Sequence, residues 1–466
     1  MTPLCLKNLR FALSATLMGA ICGGNLVAAD LDPRVEVEED VYSFDNPNNG
    51  SGPTWCHGNT CIVRAGDRVF ASGISVIPGA KPLNNCLPLL FERTDHGWTQ
   101  IFQGKQRTRE PCPLTVLPND QRVYLSINPT LAPPDAYTGP ARPGLLEFAA
   151  TEPEKQPVLL SPVWDGQPKF TAHSYRSFVA DGNSGEMILF QNTGHSHLEW
   201  SFRDSEGNWS VQGQLVWPWG AEYDKPQPIR VCYPTVALKD RQVFFCGVSD
   251  IVEPYHAWRE YKRKLTGREW DYDFRRLFFT WSDDIATGEF HDWVEISSRD
   301  KTCGWIFPRD LYVAPHGDVF VLWSERAIDE RLREKFFPQA KQRYSLFCAI
   351  LRQGKIIRRI ALEEGGEGLG GLRPKEARFQ VTEDGRLFVF YYVQGKNEQG
   401  QSVSENRLVE LDQDGNVIGK PIPVQLEQPQ KSFFTATVRA GCRPSHVLEI
   451  FGDVGGTMRY ARIRLW

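Results

Sequence analysis

The sequence predicts an all-β fold, a seven-bladed β-propeller. Short apolar segments alternate with polar turns that carry Asp or Gly along nearly the whole chain. These segments group into units of roughly 50–75 residues, which is the length of propeller blades. The composition agrees, because 27 Phe, 14 Trp, 40 Gly and 32 Pro residues suit strands joined by turns. A β-sandwich would contain fewer such units, and a parallel β-helix would repeat about every 20–25 residues.

Seven units can be marked in order along the chain. The segments expected to form their strands are 61–71 and 87–91; 114–118, 122–127 and 144–148; 174–179, 186–190 and 198–202; 233–238, 242–246 and 276–281; 310–314, 318–323 and 344–351; 377–382, 386–392 and 407–411; and 433–438, 447–451 and 458–465. A long insertion, 254–274, interrupts the fourth unit. The seventh unit shows three strands, and 35–44 is expected to supply the fourth and close the ring, which removes exposed sheet edges.

The first residues predict a signal peptide. Lys7 and Arg10 precede an apolar stretch that runs to about residue 27, and a small-residue cleavage site ends at Ala29. We therefore expect 1–29 to be removed and 30–466 to form one propeller domain, secreted or periplasmic and monomeric. No later segment approaches the roughly 20 uninterrupted apolar residues of a membrane helix, so no membrane span is expected.

Nine cysteines follow residue 29. In an oxidising compartment they are expected to form disulfides, and the odd number leaves at least one thiol unpaired. Cys56, His57 and Cys61 could supply zinc ligands, but the chain has no CxxC pair. We expect neither a metal nor a cofactor.

Charge and motifs exclude several classes of function. The formal net charge of −4 does not suit a surface that coats nucleic acid. The chain also lacks the GxSxG, GxxxxGK, HExxH and EF-hand patterns, so the hydrolase, nucleotide and calcium mechanisms that depend on them lose their usual support.

Candidate functional residues come from the positions that open onto one face of the ring. These are the starts of the innermost strands and the loops between second and third strands. The first group contains His57, Arg109, His173, Arg230, Tyr233 and Arg309, and the second contains His195, His197 and Tyr255. Histidine, tyrosine and arginine together are the mixture expected around an anionic sugar, although each could instead bond carbonyl groups at the channel rim.

Three segments of the third and fourth units resemble the BNR-repeat-like, or sialidase-like, propeller family. They are Ala172-His173-Ser174-Tyr175, His195-Ser196-His197-Leu198-Glu199-Trp200-Ser201 and Val231-Cys232-Tyr233-Pro234. The resemblance is specific over roughly residues 170–250. Elsewhere it depends on blade periodicity and on Trp55-Cys56-His57-Gly58. The family includes ulvan lyases, rhamnose-glucuronate lyases and a propeller rhamnosidase.

The resemblance implies an enzyme that cleaves an acidic, uronate-containing polysaccharide by β-elimination. It implies that His173, His195, Tyr233 and Arg230 are catalytic. The other residues on the same face, His57, Arg109, His197, Tyr255 and Arg309, are expected to bind substrate. Arg230 precedes Tyr233, whereas the lyases have their arginine after the tyrosine. A rhamnosidase-like hydrolase that uses His57 as its base is one alternative. A non-catalytic glycan- or protein-binding propeller is another, because propellers host many functions.

Overall fold

The computed structural model describes residues 31–397 and 399–466, so the predicted signal peptide lies outside the described residues. The chain is a seven-bladed β-propeller, as predicted. Each blade is a four-stranded sheet whose neighbouring strands are antiparallel. The predicted units match the blades because every blade repeats the same pattern of apolar strands and polar turns.

Blades one to six each contain four strands that follow one another in the chain from the innermost to the outermost. Blades one to three consist of Ile62–Ala65, Arg68–Val76, Cys86–Thr94 and Gly97–Gln103; Leu114–Leu117, Arg122–Ile127, Gly144–Ala149 and Val158–Leu160; and Ser177–Asp181, Glu186–Asn192, His197–Arg203 and Trp209–Val216. Blades four to six consist of Val231–Lys239, Gln242–Ser249, Arg276–Ser282 and Val294–Ser298; Trp305–Val313, Val319–Arg326, Arg343–Arg352 and Lys355–Gly366; and Arg373–Val381, Leu387–Lys396, Ser402–Leu411 and Val417–Val424.

Blade seven joins the two ends of the chain. Its three inner strands are Phe433–Thr435, Val447–Val454 and Thr457–Arg464, and its outermost strand is Arg34–Ser43. The N-terminal strand pairs antiparallel with Thr457–Arg464, from Arg34 opposite Arg464 to Ser43 opposite Thr457. This is the predicted closure of the ring.

Two helices lie in loops between strands. Helix α1, His256–Thr266, is part of the insertion predicted in blade four, and helix α2, Glu330–Phe336, lies in blade five. They contact each other through Trp258 with Phe337 and Tyr261 with Phe336, at ring-centroid distances of 5.6 and 5.5 Å. The sequence analysis predicted the insertion but no helix, because the segment is mostly polar and its apolar contacts come from a distant loop.

Shorter elements complete the loops. Two-stranded ribbons pair Trp219–Gly220 with Gln227–Pro228 and Ile251–Val252 with Tyr272–Asp273. Single 3-10 turns occur at Pro118–Asp120, Ile285–Thr287 and Asp300–Thr302. Within the described residues, no helix has the length and apolar character needed to cross a membrane.

A buried ion pair ties several blades together near the centre of the ring. Arg439 donates to Oδ1 of Asp310 from Nη2 at 2.6 Å and from Nε at 2.9 Å. Its Nη1 donates to the carbonyl oxygens of Gly58 and Val236, at 3.0 and 2.9 Å. Oδ2 of Asp310 accepts from the backbone N–H of Phe379 at 2.8 Å. Segments from blades one, four, five, six and seven therefore share one polar centre.

All nine cysteines of the described chain are buried free thiols. The expected disulfides are not formed in the structure. Cys246, Cys348 and Cys442 lie in three different hydrophobic clusters and so are kept apart by the packing of separate blades, whereas Cys56 and Cys61 share one cluster as neighbouring thiols. No group of three or more His, Cys, Asp and Glu side chains among the described residues is arranged to hold a metal ion.

Candidate functional site

Five rings meet on the face where several innermost strands begin. The centroid of the His57 ring lies 5.3 Å from that of Tyr233 and 4.7 Å from that of Phe307. Tyr175 packs edge-on against Tyr233 at 5.3 Å, and Trp55 lies 5.8 Å from each of the two tyrosine rings. We call these five residues the aromatic cluster. It brings together loops or strands from blades one, three, four and five.

The loop that carries His57 is held tightly. Gly58 has a φ of +77°, and a Cβ at this position would overlap the carbonyl oxygen of Pro234 in blade four. Only glycine combines this conformation with such a close backbone approach. The carbonyl of Gly58 also accepts a hydrogen bond from Arg439. The position of His57 is thus fixed by the backbone of the ring.

Two tyrosines of the cluster have unusual backbone conformations. Tyr175 has a φ of 38° and Tyr233 a φ of 53°, in the left-handed region that bulky residues seldom adopt. At Tyr233 the pairing between the first two strands of blade four shifts register, between Cys232 and Thr235. Strain of this kind persists where surrounding structure imposes it, and it often occurs at functional sites.

Arg109 borders the cluster beside Trp55. Its Cζ lies 5.0 Å from the Trp55 ring centroid, and its Nε donates to the backbone oxygen of Asn49 at 3.0 Å. Nη1 of Arg109 is buried and has no hydrogen-bond partner within the described part of the chain. Oε1 of Glu110 lies 3.8 Å from it. The guanidinium therefore keeps unused donor capacity.

Arg230 borders the cluster on the side of Tyr175. Its Nε donates to the backbone oxygen of Asp250 and its Nη2 to the Asp250 carboxylate, both at 3.0 Å. Its Cζ lies 5.3 Å from the ring centroid of Tyr175 and 5.8 Å from that of Tyr272. The two arginines place positive charge on both sides of the aromatic rings.

The histidines of this face have low pKa values. Burial lowers the pKa of His57 to about 4. Burial, followed by the charges of Arg109 and Arg230, lowers the pKa of His173 to about 4. The pKa of His195 is also lowered, first by burial and then by Arg230. All three imidazoles are consequently neutral near neutral pH and can accept a proton.

The tyrosines keep their protons. Burial raises the pKa of both Tyr175 and Tyr233 well above the ordinary tyrosine value. The ring centroid of His173 lies 6.4 Å from that of Tyr175. A neutral imidazole and a protonated phenol therefore lie side by side, and one can accept a proton where the other donates one.

Carboxylates next to the cluster are already engaged. Oε1 of Glu110 accepts from the backbone N–H of Ser174 at 3.0 Å, and its other oxygen accepts from the Ser174 hydroxyl. Glu376 is held by Arg309, at 3.0 Å, and by Arg378. Asp250 is held by Arg230, as described above. Each of these three carboxylates is thus already bonded to a neighbouring group.

The structure brings together five of the nine predicted site residues, namely His57, Arg109, His173, Arg230 and Tyr233. His195 lies close enough to Arg230 for the charge of the arginine to lower the pKa of the histidine. Arg309 is buried behind the cluster, with its Cζ 5.1 Å from the Phe307 ring centroid and its Nε bonded to Ser324.

The two remaining predicted residues lie further out. His197 contacts Glu199 and Ser196 on the third strand of blade three. Tyr255 packs against Tyr223 and Trp258 beneath helix α1, with Arg275 5.6 Å from its ring centroid.

Sequence reasoning missed Tyr175, Trp55 and Phe307 as members of the site. Tyr175 precedes the innermost strand of blade three as Tyr233 begins that of blade four, so alignment of successive blades would have indicated it. Trp55 lies two residues before His57, and no periodic pattern covers that loop. Its role depends on contacts with Arg109 and with rings from other blades.

A groove with a volume of about 490 Å³ adjoins this site on blade three. We call it the blade-three groove, and it is lined by residues 165–169, 193–197, Glu199 and Gln214. His195 belongs to its lining and is also affected by Arg230. A separate cleft of about 420 Å³, lined by residues of blades one and two such as Phe102 and Leu146, contains none of the site residues.

No protein-family model matches this chain, and no curated protein sequence matches it. Similar solved structures exist at low identity. A Dyadobacter fermentans protein of unknown function has 9% identity and a TM-score of 0.44, covering 93% of this chain and 99% of its own.

Two further similar structures are fungal. An α-L-arabinanase from Penicillium chrysogenum, complexed with arabinobiose, has 10% identity and a TM-score of 0.42, covering 93% of this chain and 99% of its own. The α-L-arabinofuranosidase Arb93A from Fusarium graminearum has 9% identity and a TM-score of 0.42, covering 92% and 97%. The function of the present propeller therefore has to be argued from its own side chains.

Proposed function

We propose that this chain is an exported enzyme that cleaves a uronate-containing polysaccharide by β-elimination at the aromatic cluster. One observation carries the proposal: Arg109 and Arg230 flank a neutral imidazole, His173, and a protonated phenol, Tyr175. Arginine is well suited to bind a carboxylate, and the neutral pair suits proton transfer. The resemblance of residues 170–250 to BNR-repeat-like lyases supports the same reaction.

The reaction needs three kinds of group. Arg109 and Arg230 would neutralise the uronate carboxylate, which acidifies the neighbouring C5 proton. The unprotonated ring nitrogen of His173 would take that proton. The C5–H electrons form the C4–C5 double bond, the C4–O4 bond breaks, and the departing oxygen takes the hydroxyl proton of Tyr175 or Tyr233. No water is consumed.

The state of the carboxylates favours elimination over ordinary glycoside hydrolysis. Hydrolysis of the common kind needs two carboxylic groups facing the scissile bond, one as acid and one as nucleophile or base. Glu110, Asp250 and Glu376 are instead bonded to Ser174, Arg230, and the Arg309 and Arg378 pair, respectively.

Two other functions retain a supporting observation. His57 lies within the same cluster and is neutral, as a base in a rhamnosidase-like hydrolase would be. A binding module would use exposed aromatic rings, and Trp219 and Trp270 are 60% and 67% exposed. Trp217 and Trp258 are packed instead, against Trp293 and Phe337.

The test is to incubate the purified protein with a panel of uronate polysaccharides and follow the ultraviolet absorbance of the unsaturated product. We expect a rise with wild type and about a hundredfold or greater loss with His173→Ala, the order of general base catalysis. His96→Ala, in an exposed turn of blade one, is the matched control and should keep full activity. Reducing ends without absorbance would indicate a hydrolase, and no product at all would indicate a binding module.

A further inference from the structure

The blade-three groove is built around one buried carboxylate. Glu199 is 1% exposed, and its Oε1 accepts hydrogen bonds from Nε2 of Gln214 at 3.0 Å and from His197 at 3.2 Å. Its Oε2 is buried and has no hydrogen-bond partner among the described residues. Such an unpartnered acceptor is costly unless a ligand or water supplies a donor.

Glu199 also fixes the polar side chains that line the groove. With Nε2 of His197 held by Glu199, the Nδ1 atom bonds to the Ser196 hydroxyl at 2.8 Å. Both ring nitrogens of His197 are thereby used, and the groove offers the Ser196 hydroxyl oxygen, the amide of Gln214 and the free Oε2 of Glu199 in a fixed arrangement. These groups can donate to and accept from hydroxyl groups, which is the chemistry of an uncharged sugar ring.

The charge of the groove differs from that of the aromatic cluster. Asp165 lies close enough to Glu199 to help raise the pKa of that carboxyl, after the larger effect of burial. Lys169 is the lysine of the lining. At the cluster, by contrast, Arg109 has a donor without a partner, and the guanidinium of Arg230 faces the rings of Tyr175 and Tyr272. A carboxylate or sulfate in the groove would face the unpartnered Oε2 of Glu199, with Asp165 and the oppositely charged Lys169 nearby, whereas one at the cluster could accept from the unpartnered Nη1 of Arg109.

We propose that the blade-three groove is a subsite for an uncharged sugar residue, and that it selects against chains carrying a carboxylate or sulfate at that position. The inference rests on the proposed function, because it takes the acidic residue of the chain to lie at the aromatic cluster. His195 lies between the groove and the aromatic cluster, because it lines the groove and its pKa is lowered by the charge of Arg230. A polysaccharide would run from the cluster past His195 towards Gln214.

The test uses binding rather than turnover, with His173→Ala as an inactive background. The probes are two oligosaccharides of equal length, one an oligouronate and one in which uronate alternates with an uncharged hexose. Isothermal titration should show about tenfold tighter binding of the alternating chain. Asp165→Lys, at an exposed position, should reduce or reverse this preference by adding positive charge to the groove. Glu206→Lys, in the turn at the opposite end of the same blade, is the control with the same change of charge.

The outcomes separate the two proposals. Equal affinity for the two probes, or a preference unchanged by Asp165→Lys, would overturn the subsite and leave the proposed function standing. Absence of binding to both probes by the folded protein would overturn both. A shift of preference in Asp165→Lys but not in Glu206→Lys is the result that the groove predicts.

Discussion

Burial determines the protonation of the histidines at the candidate site. His57 and His173 both have pKa values of about 4, and the first cause in each case is loss of solvent. A histidine made basic by a neighbouring carboxylate would be charged near neutral pH. These two are neutral, so they are available as bases over most of the physiological range.

The pH dependence of activity follows from these values. For elimination with His173 as base, kcat/KM should fall below a pH of about 4, where the free enzyme's imidazole gains its proton. It should stay flat on the alkaline side, because the raised tyrosine pKa values keep the proton donor intact. A pH profile of kcat/KM checks this, and an acid limb near the ordinary histidine value of 6.5 would contradict it.

The same pKa shift predicts a pH effect on stability. His173 binds a proton less readily when folded than when unfolded, so the unfolded state takes up more protons between pH 6.5 and about 4. The contribution of neutral His173 to the free energy of unfolding is therefore fully present above pH 6.5, and it is lost as the pH falls from 6.5 to about 4. Urea unfolding at several pH values should therefore show a smaller acid loss for His173→Gln than for wild type. Equal losses would contradict the shift.

Arg230 provides a test of carboxylate recognition. Arg230→Gln removes the charge beside Tyr175 and should weaken binding of a uronate oligosaccharide by about ten- to a hundredfold, the range for a charge-assisted hydrogen bond. The methyl-esterified oligosaccharide has no carboxylate charge, so its weaker binding should change little. Calorimetric titration of both ligands measures the difference. A similar loss for both would mean that Arg230 supports structure rather than recognition.

At the scale of elements, the loop before blade one positions His57. Gly58→Ala would force a Cβ against the Pro234 carbonyl at a φ of +77°. We expect a loss of about 2–4 kcal/mol in the free energy of unfolding, since both steric overlap and backbone strain act. Gly66→Ala is the matched control, because its φ is +63° but the space around it is open, and about 1 kcal/mol is expected there. Similar losses in chemical denaturation of the two variants would contradict the close approach.

The elements also show what sequence can and cannot predict. The blades could be predicted because each repeats an apolar strand and a polar turn, and the His57 and Tyr233 positions follow from the starts of the innermost strands. Helix α1 could not, because the position of Trp258 depends on contacts with Phe337 from another blade and with Arg275, as well as with Tyr255. The ion pair between Glu376 and Arg309 was equally invisible, since Arg309 lies on a strand of the neighbouring blade.

At the scale of the whole molecule, the ring depends on its polar centre. Arg439→Met would leave the buried carboxylate of Asp310 without its partner and remove the bonds to Gly58 and Val236. Breaking a buried pair on one side costs about 3–5 kcal/mol. Urea unfolding measures this loss, with Arg443→Met as an exposed control that should change stability little. An equal, small effect of both substitutions would show that the centre is dispensable.

Cleavage in water enriched in heavy oxygen, followed by mass spectrometry of the products, tests the central claim most directly. Elimination at the aromatic cluster predicts unsaturated products that contain no heavy oxygen, and their loss in His173→Ala but not in His96→Ala. Saturated products with heavy oxygen at the new reducing end would contradict elimination and show that the propeller hydrolyses its substrate.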